Sequence, residues 1–490
     1  MYTATLYRKT VNPLRCAMRL SLLVLQVTLL QGQQQTTHLA AIDSLFASGP
    51  QTKLPGGVVG IMSEGNTIYT KAFGYSSLEY HIPNTIETTF NTGSLAKQVT
   101  AMAIVILEEE GKLSYDEEVQ KYLPEFPRFD QPITIRHLLH HTSGLRSLHD
   151  LLALAGWRGD DFRTNDDLMR FIHLQRELNF PPGSQFSYSN TGYVVLARIL
   201  ENINGEAFDQ WVRSRIFEPL GMENTTIEPN YQNVVPMRAT SYYHSHDTVY
   251  ERASPYWGYT GAGNMYTSVG DLLSWTRNFY DPQDGWAHRF QALTSLDPLL
   301  NGEPNLYGFG VFVDRQKGRD RIQHAGVIGG YRSFVAIYPK NHLNIVILSN
   351  FSNTRVGELS DAIAHILLTD RVEVRWTTRR NKRPEAREKD TVSLQAIETL
   401  AGTYYSPEVE TFVSIRMQNG SISLYHPRHG TIPLRPTQNQ TFKGDWPFQH
   451  IRFVQKNDST EGLRISNGRV HNLWFRRVTL PPYQRSNLKE

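Results

Sequence analysis

The stretch from Ser94 to Glu110 is apolar at Val99, Met102, Ala103, Ile104, Val105, Ile106 and Leu107. Those positions cover nearly every side of a helix, so the segment has no broad face to give to water and is predicted to run through the centre of a domain. Gly111 closes it, and Ser94-Leu95-Ala96-Lys97 opens it. Three-residue spacing on a helix puts Ser94 and Lys97 on one face and in mutual reach. A hydroxyl beside an amine that can take its proton is a nucleophile with its own base. The tetrapeptide is weak by itself, because Ser and Lys meet at this spacing by chance in most long chains.

With 490 residues, 40% of them hydrophobic and 20% charged, the chain has material for two or three domains with sizeable cores. The net charge of +3 and the lack of basic clusters interleaved with aromatics at the important motifs argue against a nucleic-acid partner. Cys16 is the only cysteine, which rules out disulfides within the chain, Cys-based zinc sites and a plausible cysteine nucleophile. Arg8, Lys9, Arg15 and Arg19 precede the apolar run Leu20 to Leu30, and no acidic residue occurs before Asp43. That run is too short to span a bilayer but suits a signal-peptide core, so residues 1–33 are expected to direct export to the periplasm or the extracellular space. Retention by an uncleaved N-terminal anchor is the alternative.

Past the leader, His38 to Ala47 has helical character, Val58 to Met62 reads as a buried strand, and Thr67 to Phe73 returns as a second strand across Glu64-Gly65-Asn66. Helices are predicted at Thr191 to Ile203, Phe208 to Phe217 and Val356 to Leu368. Ser333 to Tyr338 and Leu343 to Leu348 form a hairpin across Pro339-Lys340-Asn341. Strands at both ends with helices between predict an α/β (α+β) domain over 39–370, one antiparallel sheet built from both termini and flanked by helices. Residues 371–390 hold twelve charged residues in twenty, and a charged linker is expected over 371–392. From Leu400 onward come short β segments: Thr411 to Met417, Ser421 to Tyr425, Thr431 to Leu434, His450 to Gln455, Leu463 to Ile465 and Val470 to Phe475. With hairpin turns at Asn419-Gly420 and Asn467-Gly468, they predict a small all-β barrel domain over 393–480.

Two more clusters carry chemistry. Tyr188-Ser189-Asn190 follows Pro181-Pro182-Gly183 and precedes a helix. A tyrosine near a Ser–Lys pair can accept the hydroxyl proton and later protonate the leaving group, provided a neighbouring ammonium lowers its pKa. The Asn190 amide can orient the lysine or a substrate carbonyl. His324-Ala325-Gly326 precedes Val327-Ile328-Gly329-Gly330. A strand carrying that triplet along a cleft edge offers a backbone N–H to an oxyanion, and Gly326 lets a substrate lie close to the main chain. Taken singly, a loop tyrosine or a lone histidine is more often structural.

The ordered set Ser94/Lys97, Tyr188/Asn190, His324/Gly326 resembles the penicillin-recognising serine hydrolases: class C β-lactamases, DD-peptidases, D-aminopeptidases and related esterases. Supporting likeness lies in Pro55-Gly56-Gly57, Phe73-Gly74-Tyr75, His141-Thr142-Ser143-Gly144-Leu145 and Tyr307-Gly308-Phe309-Gly310. The resemblance implies a β-lactamase-like fold in which Ser94 attacks an ester, amide or lactam carbonyl, while Lys97 and Tyr188 share base and acid work. It implies an oxyanion hole from the N–H of Ser94 and one near Ala325–Gly326, and an acyl-enzyme released by water. It implies small ester, amide or peptide substrates and no cofactor. His324 stands where β-lactamases and DD-peptidases carry a lysine, so the triplet is more similar to that of the esterases and aminopeptidases, and antibiotic hydrolysis is expected to be slow or absent. The segment at Leu400-Ala401-Gly402-Thr403-Tyr404 resembles the lipocalin-like domain of some relatives, with no residue of catalytic aspect.

Other chemistries fit less well. His244-Ser245-His246-Asp247 and His137-Leu138-Leu139-His140-His141 match no familiar zinc spacing, so no metal is expected. No G-x-S-x-G elbow is present. A penicillin- or peptidoglycan-directed enzyme is the alternative activity, and a non-catalytic scaffold on the same fold is the alternative class.

Overall fold

The computed structural model describes residues 37–46, 54–246, 249–253, 257–369, 399–418, 421–437, 441–457 and 459–479. The predicted leader with Cys16, the charged stretch 371–390 and the predicted Asn419-Gly420 turn lie outside them. The described chain falls into two compact units. One holds the helix 37–46 and residues 357–369 of the helix Val356–Thr369, with Ile42, Ile363 and Ile366 buried. The other holds everything else and carries the chemistry.

Its sheet has six antiparallel strands: β1 (Gly57–Ser63), β2 (Asn66–Phe73), β3 (Phe312–Gln316), β4 (Arg319–Ile328), β5 (Tyr331–Tyr338) and β6 (Leu343–Ser349), in the order β3-β4-β5-β6-β1-β2. The two ends of the domain meet where β1 pairs with β6, from Gly57 opposite Ser349 to Ser63 opposite Leu343. β6 is buried along its whole length, which is why it reads as a continuous apolar run rather than an alternating one. On one face, the helix Val269–Arg277 closes on Gly60, where a Cβ would lie 2.6 Å from Val269.

The central helix α1 spans Ala96–Glu109 and follows a 3-10 turn at Gly93–Leu95. Every residue from Ala96 to Leu107 is buried, as its all-round apolar pattern requires. The polar side chains on it are tied to neighbours: Gln98 accepts a hydrogen bond from Trp275 Nε1 (2.9 Å), and Thr100 Oγ1 donates to Gly261 O (2.7 Å). The helix α2 (Asn190–Asn204) contributes Tyr193, Val194 and Leu196 to the same core. The predicted helix at Phe208 to Phe217 is α-helical only to Val212 and then widens to a π-turn over Arg213–Phe217.

The C-terminal region is a sheet of nine strands: β7 (Gly402–Ser406), β8 (Thr411–Gln418), β9 (Ser421–His426), β10 (Gly430–Pro433), β11 (Arg435–Pro436), β12 (Thr441–Lys443), β13 (His450–Lys456), β14 (Ser459–Asn467) and β15 (Val470–Val478). Their order is β10-β9-β8-β7-β15-β14-β13-β12-β11. The two edge strands are consecutive in sequence and joined through Leu434 alone, so the sheet curls into a nearly closed barrel and leaves little unpaired edge. Its core, with Leu424, Leu463, Leu473 and Phe475, also takes Leu151 and Leu154 from the helix Leu148–Leu154 of the first domain. An ion pair seals this junction: Arg146, fully buried, donates to Glu408 at 2.5 Å.

Candidate active site

The 3-10 turn that carries Ser94 is held against the sheet by its main chain. Ser333 Oγ on β5 donates to Thr92 O (2.7 Å), and Asn91 Oδ1 accepts from the N–H of Gly93 (3.0 Å). Two glycines make this approach feasible. Gly93 has φ +53°, and a Cβ on it would lie 2.9 Å from Val327 N. A Cβ on Gly326 would lie 1.9 Å from Thr92 O and 2.2 Å from Ser333 Oγ. The glycine of the third motif is thus required by contact between β4 and the nucleophile turn. Ser94 is the second residue of that turn, where an N–H has no partner inside the helix. Ser94 lines the same cavity as Ala325 and Val327, the residues on either side of Gly326.

Lys97 is fully buried one turn further on. Its Nζ lies 3.1 Å from Ser94 Oγ, donates to Ala262 O (3.0 Å), and sits 4.9 Å from the centre of the Tyr188 ring. Among the described residues no carboxylate pairs with it. Burial, and secondarily the positive charge of Arg469, holds its pKa well below the ordinary lysine range and favours the free amine. As the free amine, Nζ is within reach of a hydroxyl it can deprotonate.

Tyr188 is half-buried as a residue, but its hydroxyl is sealed from solvent and faces the Ser94 hydroxyl. Burial raises its pKa, with the Ser94 hydroxyl and then Arg469 offsetting part of the rise. This corrects the expectation of a phenol lowered by a neighbouring ammonium. The amine beneath it is itself pushed toward neutrality, so Tyr188 is a protonated donor in the resting site. Asn190 opens α2 with its Oδ1 buried and unpaired, beside the same cavity. A buried, unpaired amide oxygen in the cavity that Ser94 and Tyr188 also line marks a place built to receive polar groups.

His141 holds the Tyr188 loop in place. It is fully buried at φ +59°, its ring lies 4.2 Å from that of Tyr188, its Nδ1 accepts from Ser189 N (3.2 Å), and its carbonyl accepts from Ser187 N (2.9 Å). The segment noted in the sequence for its resemblance alone therefore braces the tyrosine. His324 is 2% exposed and engages both ring nitrogens, Nε2 with Tyr307 Oη (3.1 Å) and Nδ1 with Ala325 O (2.7 Å). Burial brings its pKa down to about 3, so it is neutral and supplies no cation.

Ser94, Tyr188, Asn190, His324 and Ala325 line one cavity of about 600 Å³; Lys97 lies beneath it, and Gly326 packs behind on Thr92. Sequence reasoning missed Arg469, which reaches this cavity from the turn between β14 and β15. The Asn467-Gly468 turn was legible as a hairpin signal, but nothing local says that it docks on another domain. Among the described residues no group of three or more His, Cys, Asp or Glu is placed to hold a metal ion. His137 caps its own helix by accepting from Thr134 N (3.1 Å), while the Nδ1 of His140 bonds to Tyr307 O (2.8 Å), so the histidine run diverges. No helix among the described residues is long and apolar enough to cross a membrane.

The family profile described as Beta-lactamase matches residues 41–369. Penicillin-binding protein 4* of Bacillus subtilis is 28% identical over 395 residues, covering 76% of this chain and 83% of the relative. D-aminopeptidase of Gluconobacter oxydans is 28% identical over 312 residues, covering 64% of this chain and 58% of that relative's length. The octameric penicillin-binding protein homologue from Pyrococcus abyssi superposes with a TM-score of 0.58 at 22% identity, covering 91% of this chain and 99% of the other.

Proposed function

The chain belongs to the beta-lactamase family, and from that premise we propose that it is a serine hydrolase that processes small esters or short peptides, including peptides with D-residues, through an acyl-enzyme. The observation that carries this reading is the 3.1 Å approach of Lys97 Nζ, an amine without an anionic partner among the described residues, to Ser94 Oγ.

In this mechanism Lys97 takes the Ser94 proton as Oγ bonds to the substrate carbonyl carbon. The oxyanion that forms is met by the Ser94 N–H and a main-chain N–H of the Ala325–Val327 segment. The Tyr188 hydroxyl gives its proton to the departing oxygen or nitrogen as that bond breaks, and regains one from Lys97. Water then attacks the acyl-enzyme, its proton passing to the same pair of groups while Ser94 Oγ is released protonated.

A second reading, hydrolysis of penicillins or peptidoglycan peptides, is favoured by the likeness to penicillin-binding protein 4*. The neutral and fully engaged His324 weighs against it at the lysine position of the third motif. A scaffold without activity is disfavoured because Ser94, Lys97 and Tyr188 are all present and assembled. Turnover of p-nitrophenyl esters, nitrocefin and D-amino-acid anilides separates the readings. Esters or anilides are expected to lead, a lead for nitrocefin supports the second reading, and no turnover of any contradicts both. The reading includes export, supported by the cationic and apolar leader; N-terminal sequencing of the protein recovered outside the cytoplasm tests it.

A further inference from the structure

The cavity is walled by aromatic and small side chains and by polar groups that are neutral. Among its described lining residues there is no Asp, Glu or Lys. His149 is held neutral like His324, its pKa brought down to about 3 by burial and then by Arg163. The remaining charge is Arg469, whose side chain is 41% exposed. It does not belong to the domain that carries Ser94; the barrel supplies it from the turn after β14.

The turn is pinned to the first domain along its backbone. Arg469 N donates to Asp150 Oδ2 (3.1 Å), and Arg469 O accepts from Ser147 N (3.1 Å) and Asn179 Nδ2 (2.9 Å). The neighbouring His471 N donates to Asn179 Oδ1 (2.8 Å), and His471 O accepts from the buried Arg146 (3.2 Å). At the guanidinium, Nη1 donates to the carbonyl of Tyr188 (3.0 Å). Nε lies 3.7 Å from Asp150 Oδ2, close enough to orient the group and too far for a hydrogen bond. The Nη2 edge has no partner among the described residues. Arg469 Cζ lies 5.6 Å from the centre of the Tyr188 ring, and Arg469 lines the same cavity as Ser94.

We propose that Arg469 is the anion-recognising residue of this active site, and that the substrate carries a carboxylate which the Nη2 edge of Arg469 binds while Ser94 attacks the carbonyl. The proposal deepens the hydrolase reading and rests on it. A fixed backbone and an oriented guanidinium give the carboxylate a charge-assisted hydrogen bond on the edge away from Asp150, the anion beside Arg469, which approaches from the Nε side without lining the cavity. The third motif has no cation to offer because His324 is neutral. The barrel restores one from a different direction, and so becomes part of substrate recognition.

The test uses the full-length protein and two substrate sets. One compares mono-p-nitrophenyl adipate with p-nitrophenyl hexanoate, placing the carboxylate on the acyl side. The other compares the hexanoate esters of 4-hydroxybenzoate and of phenol, placing it on the leaving side. In at least one set the anionic member is expected to have the higher kcat/KM, through a lower KM that rises with ionic strength. Arg469→Ala is expected to reduce that anionic-to-neutral ratio on the order of 10- to 100-fold, Arg469→Lys to restore part of it, and Arg469→Glu to reverse it. Should the variants fail to fold, the salt dependence and the ratio in the wild-type protein still decide the matter. Turnover without anionic preference in either set, or a ratio that survives Arg469→Ala, overturns the subsite while leaving the hydrolase intact. Absence of turnover together with no labelling of Ser94 by a fluorophosphonate overturns the hydrolase reading and the subsite with it.

Discussion

Lys97 and Ser94 stand as a buried amine and a hydroxyl 3.1 Å apart, with the amine's other contact a backbone carbonyl rather than a carboxylate. A lysine so placed is poorly hydrated and uncompensated, which disfavours its charged form. The site thereby spends folding stability to hold a base ready, and consequences in pH, stability and rate follow.

The first concerns pH. Burial, then repulsion from Arg469, holds the Lys97 pKa well below its ordinary 10.5. The base works only as the free amine, so kcat/KM rises with pH through this pKa and levels off above it. The ascending limb is expected far below the ordinary lysine range. Removing the guanidinium removes a repulsion that favoured the neutral amine, so in Arg469→Gln the pKa rises and the limb moves to higher pH. Profiles of kcat/KM against pH for both proteins check this; a limb that stays put or moves to lower pH contradicts it.

The second concerns stability. Between the folded and unfolded pKa values the unfolded lysine binds a proton and the folded one does not, so stability rises with pH across that range and is lost on acidification. Lys97→Met fills the same space without that penalty. It is expected to be inactive yet more stable on the order of 0.5–2 kcal/mol, with the larger gain in mildly acidic buffer. Denaturant unfolding of both proteins at two pH values tests it, and a less stable Met variant would count against the neutral-amine account.

The third separates acid from base. Burial keeps the Tyr188 phenol protonated, which suits it to protonate a leaving group. Tyr188→Phe is expected to lower kcat about 10²- to 10⁴-fold for an anilide. The loss should be much smaller for a p-nitrophenyl ester, whose leaving group needs little protonation. Equal losses on the two substrates would mean that Tyr188 acts elsewhere.

The fourth concerns the junction with the barrel. Glu408 is 3% exposed and bonds to Arg146, which is fully buried. Truncating one partner strands the other, so Glu408→Ala is expected to cost about 3 kcal/mol or more, read as a lower midpoint in thermal unfolding. A shift of under about 1 kcal/mol would show that Glu177, also paired with Arg146, carries the charge alone.

How much of this was legible beforehand depended on how local the signal was. The burial of α1 follows from its all-round apolar pattern, and the β1–β2 and β5–β6 hairpins follow from short apolar runs around turn residues. The motif residues could be named because their order along the chain resembles that of a known family. Three things stayed hidden. The pKa direction of Tyr188 depends on how deeply its hydroxyl is buried, which no local pattern reports. The role of Gly326 depends on Thr92, more than two hundred positions away. The entry of Arg469 depends on Asp150 and Asn179 docking the Gly468–Arg469 turn, a contact across some three hundred residues. The strands β3 and β7 were also not foreseen, since Phe312–Gln316 and Gly402–Ser406 are short and mixed in character.

The central claim is that one hydroxyl, at position 94, is activated by the amine at 97. Intact-mass and peptide mass spectrometry after exposure to a fluorophosphonate measures it most directly. The account predicts a single adduct on Ser94 in the native protein, none in Ser94→Ala, and labelling slowed about 10²-fold or more in Lys97→Met. An adduct on a different residue, or one on Ser94 that forms at the native rate without Lys97, would contradict it.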